Sequence, residues 1–138
     1  MISTEFVMAG KSIFTVENNN GKRYTFKVTY SPANGNFKPT WFISYLTGPD
    51  NENSYTYIGI VGTDGSIRLT SKSPPSESLP VAVARWTLDV IWGKKTMPIS
   101  YKIQHAGRCG RCGRTLTVPE SIESGIGPEC SRQMITTI

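Results

Sequence analysis

Three cysteines and one histidine are the only soft metal ligands in this chain, and all four fall within residues 105–130. Cys109 and Cys112 have the C-x2-C spacing that lets two thiolates reach one ion from a tight turn. Gly110 and Gly113 free the backbone to wrap that ion. Cys130 follows Gly127-Pro128, which reads as a loop opening a short helix through Arg132, Gln133 and Met134. Its sulfur would then sit in a first helical turn, where the helix dipole favours a thiolate. His105 stands just ahead of the C-x2-C pair, at the end of an expected strand and within reach of the same ion. A Cys3His set closes all four positions of a Zn2+ ion, which makes the site structural and not catalytic. Glu129 or water is the alternative to His105 as fourth ligand. An odd cysteine count in a chain with no export signal argues against a disulfide framework and for metal.

A compositional break points the same way. Every Trp, Tyr and Phe lies at or before Tyr101, so residues 102–138 contain no aromatic side chain. Such a segment lacks the apolar bulk to fold by burial alone, and a structural metal is the usual substitute. Arg108, Arg111 and Arg114 are spaced by three around the cysteine pair, with no acid among them. Held on a rigid turn they could converge on phosphates, with backbone N–H groups adding donors. The plainer reading is a solvated turn. Lys94, Lys95 and Lys102 could extend a basic surface from it. Base stacking would need a platform elsewhere, for instance Tyr55 and Tyr57, which read first as core or sheet-face residues.

The stretch HAGRCGRCGRTLTVPESIESGIGPEC, residues 105–130, resembles the uncharacterised domain family DUF6011, common in phage and prophage proteins. The shared pattern is a Gly/Arg-rich C-x2-C, then Leu-Thr and Pro-Glu-Ser, then Gly-x-Gly-Pro-x-Cys. The earlier GPDNENSYTYIG is similar to what precedes the motif in such proteins. The resemblance implies a phage or mobile-element origin and a treble-clef-like zinc module, with Cys109, Cys112 and Cys130 as ligands. A common treble clef places a second ligand in its last helix, where this chain has Gln133. That departure moves the fourth role onto His105.

Catalytic signals are absent. There is no phosphate loop, no H-E-x-x-H and no spare histidine for a nucleophile, and Gly125-Ile126-Gly127 is too short for a nucleotide loop. His105 is followed by Ala106-Gly107, so the H-x-E of a zinc deaminase is missing as well. The chain reads as a non-enzyme.

The elements that must position these residues follow from pattern. At 138 residues and 15.2 kDa, with 38% hydrophobic and 18% charged residues, the chain is the size of one domain. Its 13 Gly and 9 Pro favour strands and turns. Tyr24, Phe26, Val28 and Tyr30 alternate with Arg23, Thr25, Lys27 and Thr29, which predicts a half-buried strand. Asn18-Asn19-Asn20-Gly21 predicts a hairpin turn joining it to Ser12–Glu17. Trp41–Leu46 reads as a central strand, and Tyr55–Val61 and Ser66–Thr70 continue an antiparallel meander. After a polar loop over Ser71–Ser78, a long helix is predicted from Leu79 to Gly93. Ser78 should cap it, Val83, Trp86 and Val90 should form its stripe, and Arg85 should pair with Asp89. Trp86 would pack on the sheet and Trp92 cover its edge. Pro98–Ile103 closes the series as a last strand.

The expected fold is therefore α+β, a mostly antiparallel sheet with one long helix and a C-terminal treble-clef-like zinc module. Residues 1–104 would form the β-rich part and residues 105–138 the module docked on it, as one compact unit. No run approaches the roughly 18 apolar residues of a membrane span, and no basic-then-apolar leader opens the chain. A soluble protein of the bacterial cytoplasm is expected, without a membrane partner. The net charge of +5 permits an acidic partner. Two functions stay open. One is contact with nucleic acid or a nucleoprotein complex through the arginines. The other is protein-binding inhibition of a host defence system such as CRISPR, through Asp50-Asn51-Glu52 or the sheet face.

Overall fold

The computed structural model describes residues 2–49, 54–116 and 124–127. The elements run α1 (Thr4–Val7), β1 (Lys11–Asn18), β2 (Arg23–Ser31), β3 (Thr40–Leu46), β4 (Tyr55–Val61), β5 (Ile67–Arg68), α2 (Leu79–Ile91) and β6 (Tyr101–His105). All six strands join one antiparallel sheet in the order β5-β4-β3-β2-β1-β6. The first five form the expected meander. The chain then crosses by way of α2, and β6 returns to the far edge beside β1.

The β1–β2 hairpin forms where the asparagine run predicts. Glu17 faces Arg23 across the turn, and Asn18 Oδ1 accepts from the N–H groups of Asn20 and Lys22 at 3.0 and 3.1 Å. Gly21 takes φ +79°, a conformation that glycine adopts without Cβ strain. The alternation in β1 and β2 sends Phe14, Val16, Phe26 and Val28 into the core, with Ile43, Ile58 and Ile103 from the other strands. Arg23, Thr25 and Lys27 are left on the opposite face, as a period of two requires. A register shift between Ile43 and Ser44 marks a bulge that lets Ile58 and Gly59 both turn inward. Only Ile67 and Arg68 pair as β5, so the strand expected over Ser66–Thr70 is two residues long.

A helix, α2, appears at the predicted position, but it is not the long helix expected. It is 13 residues, about the average for globular proteins, and stops at Ile91 before Gly93. Its buried face is Val81, Ala84, Leu88 and Ile91, with Thr87 and Val90, in place of the expected Val83–Trp86–Val90 stripe. Val83 and Trp86 lie at the margin of that face, where Trp86 packs on Tyr101 of edge strand β6, ring centroids 5.1 Å apart. Trp92 covers the opposite edge: its indole lies on Gly65 and its Nε1 donates to Thr63 O at 3.0 Å. Ser78 occupies the N-cap, yet its hydroxyl is buried and makes no hydrogen bond among the described residues. Pro80 explains this in part, because it removes one of the N–H groups that a cap side chain would accept from. Asp89 pairs with Lys95 at 3.6 Å instead of with Arg85, whose Nη2 reaches Ile67 O at 3.4 Å.

The N-terminal α1 carries a role that the sequence pattern does not reveal. Ser3 caps it by accepting from Phe6 N at 3.1 Å, and Trp41 Nε1 donates to Met8 O at 2.8 Å. Between these ties, Phe6 is driven into the core at 0% exposure. Among the described residues, no helix is long and apolar enough to cross a membrane.

Candidate functional site

Strand β6 delivers the chain into residues 107–116, which fold back as a short hairpin. Arg108 bridges Thr115, Cys109 N donates to Arg114 O at 2.8 Å, and Leu116 N donates to Gly107 O at 2.9 Å. The turn closes with Gly113 N to Cys109 O at 2.9 Å, and Gly113 takes φ +81°. Gly113 thus serves the turn through its left-handed backbone, whereas Gly110 is not among the positive-φ glycines.

This hairpin is not held by its own residues. Phe6 lies beneath it, and a Cβ added at Gly110 would come within 2.7 Å of the Phe6 ring. One at Gly125 would collide with the same ring. Gly110 N donates to Gly125 O and Gly110 O accepts from Lys11 N, each at 2.7 Å. His105 tilts against Phe6 at 5.7 Å between ring centroids. Cys109, Leu116 and Ile126 are part of the same apolar cluster as the sheet and α2. The aromatic-free segment therefore borrows an aromatic from the other end of the chain.

Cys109 is fully buried and Cys112 exposed, both on this turn. Burial opposes ionisation of the Cys109 thiol, but donors outweigh it: the N–H groups of Gly127, Cys112 and Arg111, then the Cys112 thiol. Together they bring it down to about 7. The Arg111 N–H reaches Cys109 Sγ at 3.4 Å. A sulfur so surrounded by donors is prepared to carry negative charge, the state in which thiols bind metal. His105 Nδ1 accepts from Gly107 N at 2.9 Å, so coordination by this ring would fall to Nε2. Among the described residues, no three His, Cys, Asp or Glu side chains gather closely enough to hold an ion. The structure thus brings Cys109 and Cys112 together on one turn, which His105 precedes at the end of β6. Cys130 and Glu129 lie outside the described residues, as do the expected helix at Arg132–Met134 and the Asp50-Asn51-Glu52 turn.

The basic residues divide between separate places. Arg108, Arg111 and Arg114 are all exposed on the hairpin, and each also holds an interaction within the protein. Lys94 and Lys95 follow α2, where Lys95 pairs with Asp89 and Lys94 helps hold Asp64 below the usual carboxylate range, after the Ser66 hydrogen bonds. That places them by the β4–β5 turn. Lys102 is on β6, opposite Glu17, at the other edge of the sheet. The three lysines do not form one group.

Arg108 instead meets Tyr55 and residues of the β1–β2 hairpin that carry no motif. The outward faces of β1 to β4 and the start of the hairpin line a pocket of about 460 Å³ that includes Thr15, Arg23, Thr25, Tyr55 and Arg108. Thr15 and Thr25 share a hydrogen bond at 2.8 Å, and Lys27 Nζ lies 5.2 Å from the centre of the Tyr55 ring. Burial raises the Tyr55 phenol above its ordinary range, and the Arg108 guanidinium partly opposes this. The Tyr55 hydroxyl is buried without a hydrogen-bond partner among the described residues. The signal available in the sequence was the outward series Arg23, Thr25, Lys27.

Residues 103–135 match the model of a family of unknown function, DUF6011. The match begins inside β6, two residues ahead of His105, and spans the whole hairpin. No curated protein and no solved structure matches the chain significantly. What is established by likeness is thus confined to one segment: residues 103–135 are similar to an uncharacterised family.

Proposed function

We propose that this is a zinc-stabilised nucleic-acid contact protein of phage or mobile-element origin. Cys109, Cys112, Cys130 and His105 would hold one structural Zn2+, and Arg108, Arg111 and Arg114 would meet phosphates of a nucleic acid or nucleoprotein complex. The observation that carries the reading is the hairpin itself. Its turn aims N–H groups at Cys109 Sγ, brings Cys112 beside it, and presents three exposed arginines around the pair. When bound, the ion would cross-link the turn and compensate the thiolate charge. The chain's own work is to orient the sulfurs through glycine turns and to exclude water from Cys109 with Phe6, Leu116 and Ile126. A contact of arginines with phosphates gives position without reading sequence.

Elemental analysis should find about one zinc per chain, lost in Cys109→Ser. Binding to duplex DNA should weaken with salt at a log–log slope of about −0.9 per phosphate neutralised. Arg111→Ala should reduce that slope by about one and weaken unrelated sequences equally, with zinc content unchanged. Absence of salt-dependent binding to any duplex or single strand at micromolar protein overturns the nucleic-acid part. A second reading then takes its place, a protein-binding inhibitor of a host defence system. It is favoured by an apolar groove beside α2, lined by Leu79, Val83, Trp86, Tyr24 and Tyr101, with Leu79 59% exposed.

A further inference from the structure

We infer that the pocket on the outward face of the sheet is a phosphate site, taking a phosphate group of a polynucleotide or of a free nucleotide. Arg23 and Arg108 enter it from opposite ends of the chain, Lys27 stands over the Tyr55 ring beside it, and among the described residues no acidic side chain lines it. Two guanidinium groups at one concave surface suit a tetrahedral phosphate anion, which they can grip through paired N–H donors. Arg23 makes no ion pair among the described residues, although Glu17 faces it in register. Arg108 and Lys27 have contacts within the protein, so a ligand would share or exchange those.

The second, independent observation is the hydroxyl of Tyr55. A buried hydroxyl without a partner is uncommon, and each instance asks for an explanation. Tyr55 lines this pocket, and its phenol keeps its proton at neutral pH, so it can only gain by donating to an oxygen that arrives. Thr15 and Thr25 share one hydrogen bond, and whichever hydroxyl accepts it keeps its own proton to offer a ligand. Two guanidinium groups, a phenol without a partner among the described residues and one remaining threonine proton make a set of donors that an incoming anion can engage. Phosphate is the common biological group that supplies several acceptor oxygens with charge.

The site shares Arg108 with the proposed nucleic-acid surface but does not depend on zinc or on Arg111. The test measures thermal stabilisation of the full chain by deoxyadenosine 5′-monophosphate and by inorganic phosphate, and binding of a dodecamer of thymidylate by fluorescence anisotropy. Wild type should be stabilised by the monophosphate beyond a chloride control of equal ionic strength. Tyr55→Phe should match or exceed wild-type melting without ligand, because an unpartnered hydroxyl is removed, and should lose most of the ligand's effect. Arg23→Ala should weaken ligand binding about tenfold while leaving the fold intact. Wild-type stabilisation retained in both variants overturns the site, as does wild-type protein that none of the three probes stabilises or binds. Dodecamer binding lost in Arg111→Ala but kept in both pocket variants supports the arginine turn and overturns the pocket. Monophosphate binding lost in Tyr55→Phe, with no dodecamer bound by wild type, supports the pocket as a nucleotide site and overturns the nucleic-acid reading.

Discussion

At the scale of single residues, the two glycines against Phe6 make the sharpest claim about stability. Gly125 has φ +78° and its missing Cβ leaves room for the Phe6 ring, so Gly125→Ala meets both backbone strain and overpacking. A destabilisation of about 2–5 kcal/mol is expected, from about 1–2 for the left-handed backbone and 1–3 for the forced repacking. Gly107 has φ +77° but open space around it, so Gly107→Ala should cost only about 1–2 kcal/mol. Chemical denaturation of the two variants checks the difference; equal losses would mean that Phe6 does not pack as described. Cys109 adds a pH dependence in metal-free protein. Its thiol lies near 7 when folded, below the usual value when unfolded. Its contribution is thus complete above about pH 9 and lost as the pH falls through 7. Stability should rise by on the order of 2 kcal/mol across that interval, and Cys109→Ser should flatten the rise.

At the scale of elements, α1 is too short to be stable by itself, and a four-residue helix exists here only because its side chains are buried. Phe6→Ala should cost about 3–5 kcal/mol by the usual measure of an emptied aromatic site. Hydrogen exchange at Gly110 and Gly113 should accelerate more than at the β2–β3 centre, since the hairpin loses the ring beneath it. Protection unchanged at Gly110 would show that the hairpin stands without α1. This is also where the sequence was hardest to read. The β1–β2 hairpin was legible because asparagine turns and strict alternation are local signals. The position of α2 was legible from Pro80 and Gly93, but its buried face was not. Three residues of a helix can be called a stripe on either side of Trp86, and only the crossing over the sheet decides between them. Nothing local in Thr4–Val7 announces that Phe6 belongs under residues a hundred positions away.

At the scale of the whole molecule, the candidate site divides in the same way. The C-x2-C pair and its arginines were visible as a motif, because the chemistry needs those residues close in sequence. The outward pocket was not, since Arg23, Tyr55 and Arg108 meet only through the register of four strands and the fold-back of the hairpin after β6. Pairing of β6 with β1 is what joins the two halves of the chain. Val16 faces Ile103 and Phe14 faces His105 across that ladder, so the segment matching the family starts as the edge strand of the larger sheet. A chain ending at residue 100 would lose this strand, the hairpin and the cover over Phe6 together. It would also expose β1 as a long unpaired edge between apolar residues, the arrangement that recruits other strands. Such a truncation should be found in aggregates, or in a partly folded state that binds a hydrophobic dye, while the full chain elutes as a discrete species in size-exclusion chromatography. A soluble truncation with native tryptophan fluorescence would mean that residues 1–100 fold independently and that β6 is an addition to a complete sheet. The expected result is the opposite, because an edge strand that carries Ile103 into the core and leads directly to the lid over Phe6 is part of how that core is closed.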